Sequence, residues 1–120
     1  MSHINIAKSP WEEVKGEISQ SYNVIKSYCG NVKHFAYPYG TFSDFTRDAK
    51  KLVFETGYQS CASAVRGCHI GNGTPLENDK LCIRRDHIIL DWNINHCLHF
   101  LIRNAMKASV SNNFFPASLQ

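Results

Sequence analysis

Apolar positions along the chain fall into helical stripes separated by short strand-like runs. Trp11, Val14, Ile18, Tyr22, Ile25 and Cys29 recur at three- and four-residue steps, the spacing of one face of an amphipathic helix. Ser9-Pro10-Trp11-Glu12 has the S-x-x-E form of a capping box with proline at the first helical position, and Gly30 stands where such a helix stops. "VKHFAY", residues 32–37, is rich in aromatic and β-branched residues and ends at Pro38, so it predicts a strand. A second helix follows, capped by Thr41 or Ser43, with Phe45, Ala49, Leu52 and Val53 on one face and Gly57 as its stop. "YQSCASAV", residues 58–65, alternates as a strand does. Residues 66–80 hold three glycines and a proline among polar side chains and predict a long surface loop. "LCIRRDHIIL", residues 81–90, contains another strand, and Asn95 to Lys107 carries Cys97, Leu98, Leu101, Ile102 and Ala105 at helical spacing. Residues 109–120 have no periodicity and predict an irregular tail.

Helix, strand, helix, strand, loop, strand, helix is the order of parallel βαβ units. The expected fold class is therefore α/β, a small and mostly parallel sheet of three or four strands flanked by helices. Strands at the open edges of so small a sheet invite pairing with another chain, so self-association through the sheet edges is expected.

Composition narrows the partners. A chain of 120 residues is the size of one domain. Thirteen Lys and Arg against ten Asp and Glu give a net charge of +3 without a basic cluster, which removes the case for a nucleic-acid partner. Apolar runs fall well short of the ~18 residues of a membrane span, and "MSHINIAKSPWEEV" lacks the basic and apolar regions of a signal peptide. No membrane partner is expected. Cys29, Cys61, Cys68, Cys82 and Cys97 are odd in number and form no CxxC pair, which fits reduced thiols and favours the cytoplasm. A missing N-terminus would also remove a leader, so the compartment stays open.

The segment that asks for a chemical explanation is "HFAYPYGTFSDF", residues 34–45, where Tyr37 and Tyr39 bracket Pro38 and Gly40 follows. From residues alone, the two rings are either core aromatics or the lip of a binding site. In context the segment resembles the C-terminal part of the polysaccharide deacetylase family, the NodB-homology metal-dependent carbohydrate esterases. The likeness runs from about His3 to Leu90. It rests on "WEEVKGEISQSYNVIKSYCG", then "VKHFAYPYG", then "ETGYQSCASAVRG", then an Asp-bearing loop leading to an arginine-containing strand. It assigns residues 1–108 to the C-terminal portion of a deacetylase domain and implies part of a distorted (β/α) barrel.

The resemblance implies hydrolysis of N-acetyl groups on an amino-sugar polymer, with N-acetylated polysaccharide or oligosaccharide as partner and a divalent metal, zinc above all, as cofactor of the complete enzyme. It implies an oxyanion-stabilising role for the backbone amide of Tyr39, the first amide after a proline that cannot donate, and substrate contacts from Tyr37, Pro38, Tyr39, Arg84 and Arg85. His34 stands where family members carry an arginine that orients the catalytic carboxylate; a structural histidine is the alternative. His3 corresponds to the second histidine of the family's His-Ser/Thr-x-x-His metal motif. The sequence contains no Asp-Asp pair, and the family's Asp-x-x-Asp-Trp motif gives way to "ASAVRG" with Arg66. The chain thus looks cut inside the metal motif, and alone it is expected to bind no catalytic metal and to be inactive.

Two other readings compete. Cys68 with His69, and His96-Cys97 with His99, offer zinc ligands, but neither cluster has the close-pair spacing of structural zinc sites. A non-catalytic carbohydrate-binding or interaction module would use the aromatic turn for stacking on sugar rings without chemistry.

Overall fold

The computed structural model describes residues 2–67 and 82–110. Three helices and three strands appear there in the order α1 (Trp11–Cys29), β1 (His34–Ala36), α2 (Arg47–Thr56), β2 (Ser60–Ala62), β3 (Cys82–Ile83) and α3 (Ile94–Val110). The strands form one parallel sheet of order β1-β2-β3, with Phe35 opposite Cys61 and Cys61 opposite Cys82. This is α/β architecture with a small parallel sheet; three strands leave two open edges, and a closed barrel is not what the described residues form. Most of the predicted loop, including Cys68 and His69, lies outside the described residues, as does the tail beyond Val110.

Alternation along the strands divides the sheet into two faces. Phe35, Tyr37, Cys61 and Cys82 fall on the face packed with Val14 and Ile18 of α1 and Ala49 and Val53 of α2, and Ile6, Val32, Phe45 and Tyr58 complete this core. His34 and Ala36 fall on the other face and are exposed. Cys61 and Cys82 are free thiols buried side by side. The hydrogen bond to Cys61 and burial together push the Cys82 thiol up, so it keeps its proton.

Both helix starts depart from expectation. Pro10 is the N-cap of α1 and no side chain caps it, because Ser9 lies one residue outside the helix and Glu12 pairs with Lys15 at 2.5 Å. Thr46, and neither Thr41 nor Ser43, caps α2 by accepting from the Ala49 amide at 3.2 Å. Thr41 and Asp44 are engaged in a turn of their own, where Thr41 donates from both its amide and its hydroxyl to the Asp44 carboxylate. The stops are as predicted: Gly30 with φ 71 and Gly57 with φ 117 end α1 and α2. Gly57 sits against the Tyr22 ring, where a Cβ would approach the hydroxyl to 2.8 Å.

The predicted strand over 81–90 is reduced to Cys82–Ile83. Pairing continues just beyond it, since Arg85 donates its amide to the Val65 carbonyl at 3.2 Å, and then the chain turns away at Ile89, whose carbonyl accepts from Trp92. Asn93 caps α3 by accepting from the His96 amide at 2.9 Å. α3 runs three residues past the expected Lys107 end and is held by a short list of contacts. Trp92 stacks on Phe100 at 5.1 Å, Arg66 lies over the same ring at 5.1 Å, and Asn104 donates to Asp86.

Candidate functional site

The aromatic turn forms where β1 runs out. Tyr37 extends the ladder by one residue, donating its amide to Ala62 at 3.0 Å, and Pro38 then removes the next donor. The chain reverses through Tyr39, whose φ is 58, with the Gly40 amide donating back to the Pro38 carbonyl at 2.6 Å. A three-residue turn with positive φ at its centre is the rare, strained form of the γ-turn, and left-handed backbone costs a side-chain-bearing residue about 1–2 kcal/mol. Gly40 holds the turn in place. Its own φ is 74, its carbonyl accepts from the Ala64 amide at 2.7 Å, and a Cβ there would sit 2.7 Å from that amide nitrogen.

This backbone sends the two tyrosines in opposite directions. Tyr37 is 2% exposed, and its ring stacks on Phe45 at 4.0 Å and meets Phe35 edge-on. Its hydroxyl is buried with no hydrogen-bond partner among the described residues, and burial pushes its pKa up. The Tyr37 ring is a core group, out of reach of any polysaccharide, so the expected substrate contact by this ring is not available in this conformation. Tyr39 is 58% exposed, and its ring meets the His3 ring edge-on at 5.3 Å. Its amide finds no acceptor among the described residues.

The N-terminal segment is brought to the turn by two carboxylates that the sequence reading passed over. Asp44 accepts from the Asn5 side chain at 2.7 Å, and its carbonyl accepts from the Ala7 amide at 2.9 Å. Hydrogen bonds from Thr41, with a further one from Asn5, hold the Asp44 carboxyl below its usual range. Glu17 on α1 accepts from the amide and hydroxyl of Ser2, and these bonds lower its pKa as well. Between the segment, α1 and the outer edge of β1 lies a cleft of about 120 Å³, lined by Ser2, Ile4, Glu17, Ser21, Ala36 and Pro38 among others. His3 and Tyr39 flank this cleft in sequence and meet each other in space.

The remaining expected residues separate from this centre. His34 shares a hydrogen bond with Ser60 at 2.7 Å, and it precedes Pro38 by four strand residues, roughly 13 Å of extended chain. That arrangement gives His34 a sheet-bracing contact. Arg84 lies over the Phe42 ring at 5.5 Å and donates to the Arg66 carbonyl, which sets it beside the loop that follows the turn. Arg85 donates from Nε to the Ser63 carbonyl at 2.8 Å and thereby clamps the ends of β2 and β3. His96 and His99 pack against Phe100, and His96 also meets Trp92 at 4.5 Å.

Comparison with protein-family models, curated proteins and solved structures finds no match to the chain. The donor set for a metal is likewise incomplete: among the described residues no group of three or more His, Cys, Asp or Glu is arranged to hold an ion. His3 alone does not fit a catalytic centre, which takes three protein ligands. Asp44 and Glu17 have their oxygens engaged by Thr41, Asn5 and Ser2.

Proposed function

We propose that this chain carries the oxyanion-binding turn and part of the substrate cleft of a polysaccharide deacetylase of the NodB-homology family, and that it does not hydrolyse N-acetyl groups alone. The observation that carries the reading is the Tyr39 amide, a donor with no acceptor among the described residues, on a turn fixed by Pro38 and Gly40. Hydrolysis of an acetamide builds negative charge on the carbonyl oxygen. A preorganised amide aimed at that oxygen is worth on the order of 3 kcal/mol in characterised oxyanion holes. The left-handed Tyr39 backbone keeps the N–H out of the sheet ladder, so no rearrangement is needed before it donates. Parallel strands in sequential order with open edges support the finer reading of the fold as part of a distorted (β/α) barrel. The base and nucleophile of the reaction need groups that the described residues do not assemble, so oxyanion binding is the one step assigned to this chain.

The second reading, carbohydrate binding without chemistry, is favoured by the exposed Tyr39 ring beside the cleft. One experiment separates them. N-acetylglucosamine oligomers are titrated against the chain, and acetate release is followed with added zinc or cobalt, for the chain alone and for a fusion to a polypeptide bearing Asp-Asp and His-x-x-x-His motifs. Binding without turnover by the chain, and turnover by the fusion, is the expected result. Turnover by the chain alone would show that the metal centre has been missed. A folded fusion that binds oligomers and releases no acetate leaves the binding reading in possession.

A further inference from the structure

Two thiols stand side by side in the sheet and have no role in oxyanion binding. Cys61 of β2 and Cys82 of β3 are register partners, so both side chains leave the sheet on the same face. They are 1% and 0% exposed, and both are free thiols. A single buried cysteine packs as a small apolar residue; two in register can also bond to each other. Partners on neighbouring strands lie about 4.7–4.9 Å apart, inside the Cα separation of about 4.4–6.8 Å that a disulfide spans. Cys82 is hydrogen-bonded to Cys61, so the two sulfurs already face each other.

Their surroundings give the two thiols different parts. Hydrogen bonding from Cys82, helped by the neighbouring Tyr37 hydroxyl and the Lys50 charge, draws Cys61 below the ordinary thiol range against the effect of its burial. Cys82 is pushed the other way and keeps its proton. The thiolate is the nucleophile, which makes Cys61 the attacking sulfur and Cys82 the resolving one. Access comes through β3, which is two residues long and stands at the edge of the sheet among the described residues. An element held by so few backbone bonds opens locally, and each opening uncovers both sulfurs to a water-sized oxidant. We infer that Cys61 and Cys82 close into a reversible disulfide that staples β3 to β2, with hydrogen peroxide as the oxidant. The Cys61 thiolate attacks one peroxide oxygen and the O–O bond breaks. The released hydroxide takes up the proton that Cys61 gave off, forming water and leaving a sulfenic acid at Cys61. The Cys82 sulfur then attacks the Cys61 sulfur, and the hydroxyl departs with the Cys82 proton as a second water. The two sulfurs lose two electrons and peroxide gains them. The staple also reaches the Tyr39 turn, because the next residue, Ala62, accepts the Tyr37 amide and Ala64 donates to Gly40.

Peptide mapping of the folded wild-type chain tests this. The chain is reduced, exposed to hydrogen peroxide without denaturant, and its remaining thiols are blocked with N-ethylmaleimide before digestion. A peptide linking Cys61 to Cys82, released by dithiothreitol, is the expected product. The Cys29→Ser/Cys68→Ser/Cys97→Ser variant should form the same bond, losing two hydrogens and retaining no oxygen. Hydrogen exchange supplies the structural readout. The Ser63 amide, which donates to Ile83, and the Arg85 amide, which donates to Val65, are expected to exchange about 10-fold more slowly once the staple is closed. Cys61 and Cys82 both blocked after peroxide, sulfinic acid in place of the disulfide, or Cys61 paired with Cys68 would each overturn the inference. So would linkage that appears only in urea, or unchanged exchange of both amides in the linked chain. Should the triple variant fail to fold, mapping and exchange of the wild-type chain decide.

Discussion

The Gly40 carbonyl accepts the Ala64 amide at 2.7 Å, tying the turn after β1 to the chain that leaves β2. The geometry of the Tyr39 amide therefore depends on a residue without a side chain.

Gly40→Ala is expected to destabilise the protein by more than the 1–3 kcal/mol of a strained backbone residue, because the new methyl would also meet the Ala64 nitrogen at 2.7 Å and the Tyr37 carbonyl at 3.1 Å. The midpoint of urea denaturation reports the loss. An unchanged midpoint would mean that the turn is not held as described.

Tyr39→Gly separates the ring from the amide. Relief of left-handed strain, about 1–2 kcal/mol, is offset by the extra chain entropy of glycine, about 0.5–1 kcal/mol. The net expectation is a change between about zero and a gain of about 1.5 kcal/mol by thermal denaturation. In a catalytically complete fusion the same change should weaken oligomer binding while leaving kcat largely unchanged. A collapse of kcat would shift the catalytic contribution from the amide to the phenol.

Tyr37 offers a paired test of what its two parts do. Phe in its place removes a buried hydroxyl that has no hydrogen-bond partner among the described residues and lies beside the Cys61 thiol, and it is expected to be neutral or stabilising by up to about 1 kcal/mol. Ala removes a ring stacked on Phe45 and is expected to cost about 3–5 kcal/mol. Chemical denaturation of both variants measures the contrast, and destabilisation by Phe would reveal a hydrogen bond to the hydroxyl.

Asp44 makes the docking of the N-terminal segment sensitive to acid. Its folded pKa lies below the reference value of 3.8, so its contribution is fully present well above that pH and is lost as the pH falls below 3.8 through the folded value. Faster exchange of the Ala7 amide below pH 3.8 is the expected signature. Asp44→Asn should abolish the pH dependence, and its persistence in that variant would assign the transition to another carboxyl, Glu17 first.

The sequence was readable where one residue decides an outcome locally. Gly30 and Gly57 stop helices because their backbones turn left-handed, and Pro38 ends β1 because it has no amide to offer. Helix starts were misread at Ser9 and Thr41, since a capping residue is chosen by competition: Asp44 occupies Thr41, and Thr46 is left to cap α2. The tie from Asp44 to the N-terminal segment carried no local signal, because its partner there, Asn5, lies 39 residues away. The site turn was legible as a special segment through its proline, rings and glycine. The divergence of Tyr37 and Tyr39 was not: Tyr37 keeps the inward side of β1 that it shares with Phe35, and Tyr39 leaves it through a positive φ that no residue type announces. α3 was legible as a helix, yet its apolar spacing did not show which stripe faces the body, a choice made by Phe100 and Asn104 through Arg66 and Asp86.

The sequential order of the sheet has a kinetic consequence. His34 and Ser60, paired across β1 and β2, are 26 residues apart, and Ser63 and Ile83, joined between β2 and β3, are 20 apart. Each strand thus finds its neighbour in the stretch made just before it, and closing loops of such similar length costs nearly the same entropy at each step. As the chain leaves the ribosome, β1, α2 and β2 can assemble around Phe45 and Val53 before β3 has emerged. The sheet can therefore grow in one direction, from the strand that carries the Tyr39 turn outward, with the turn formed before β3 joins.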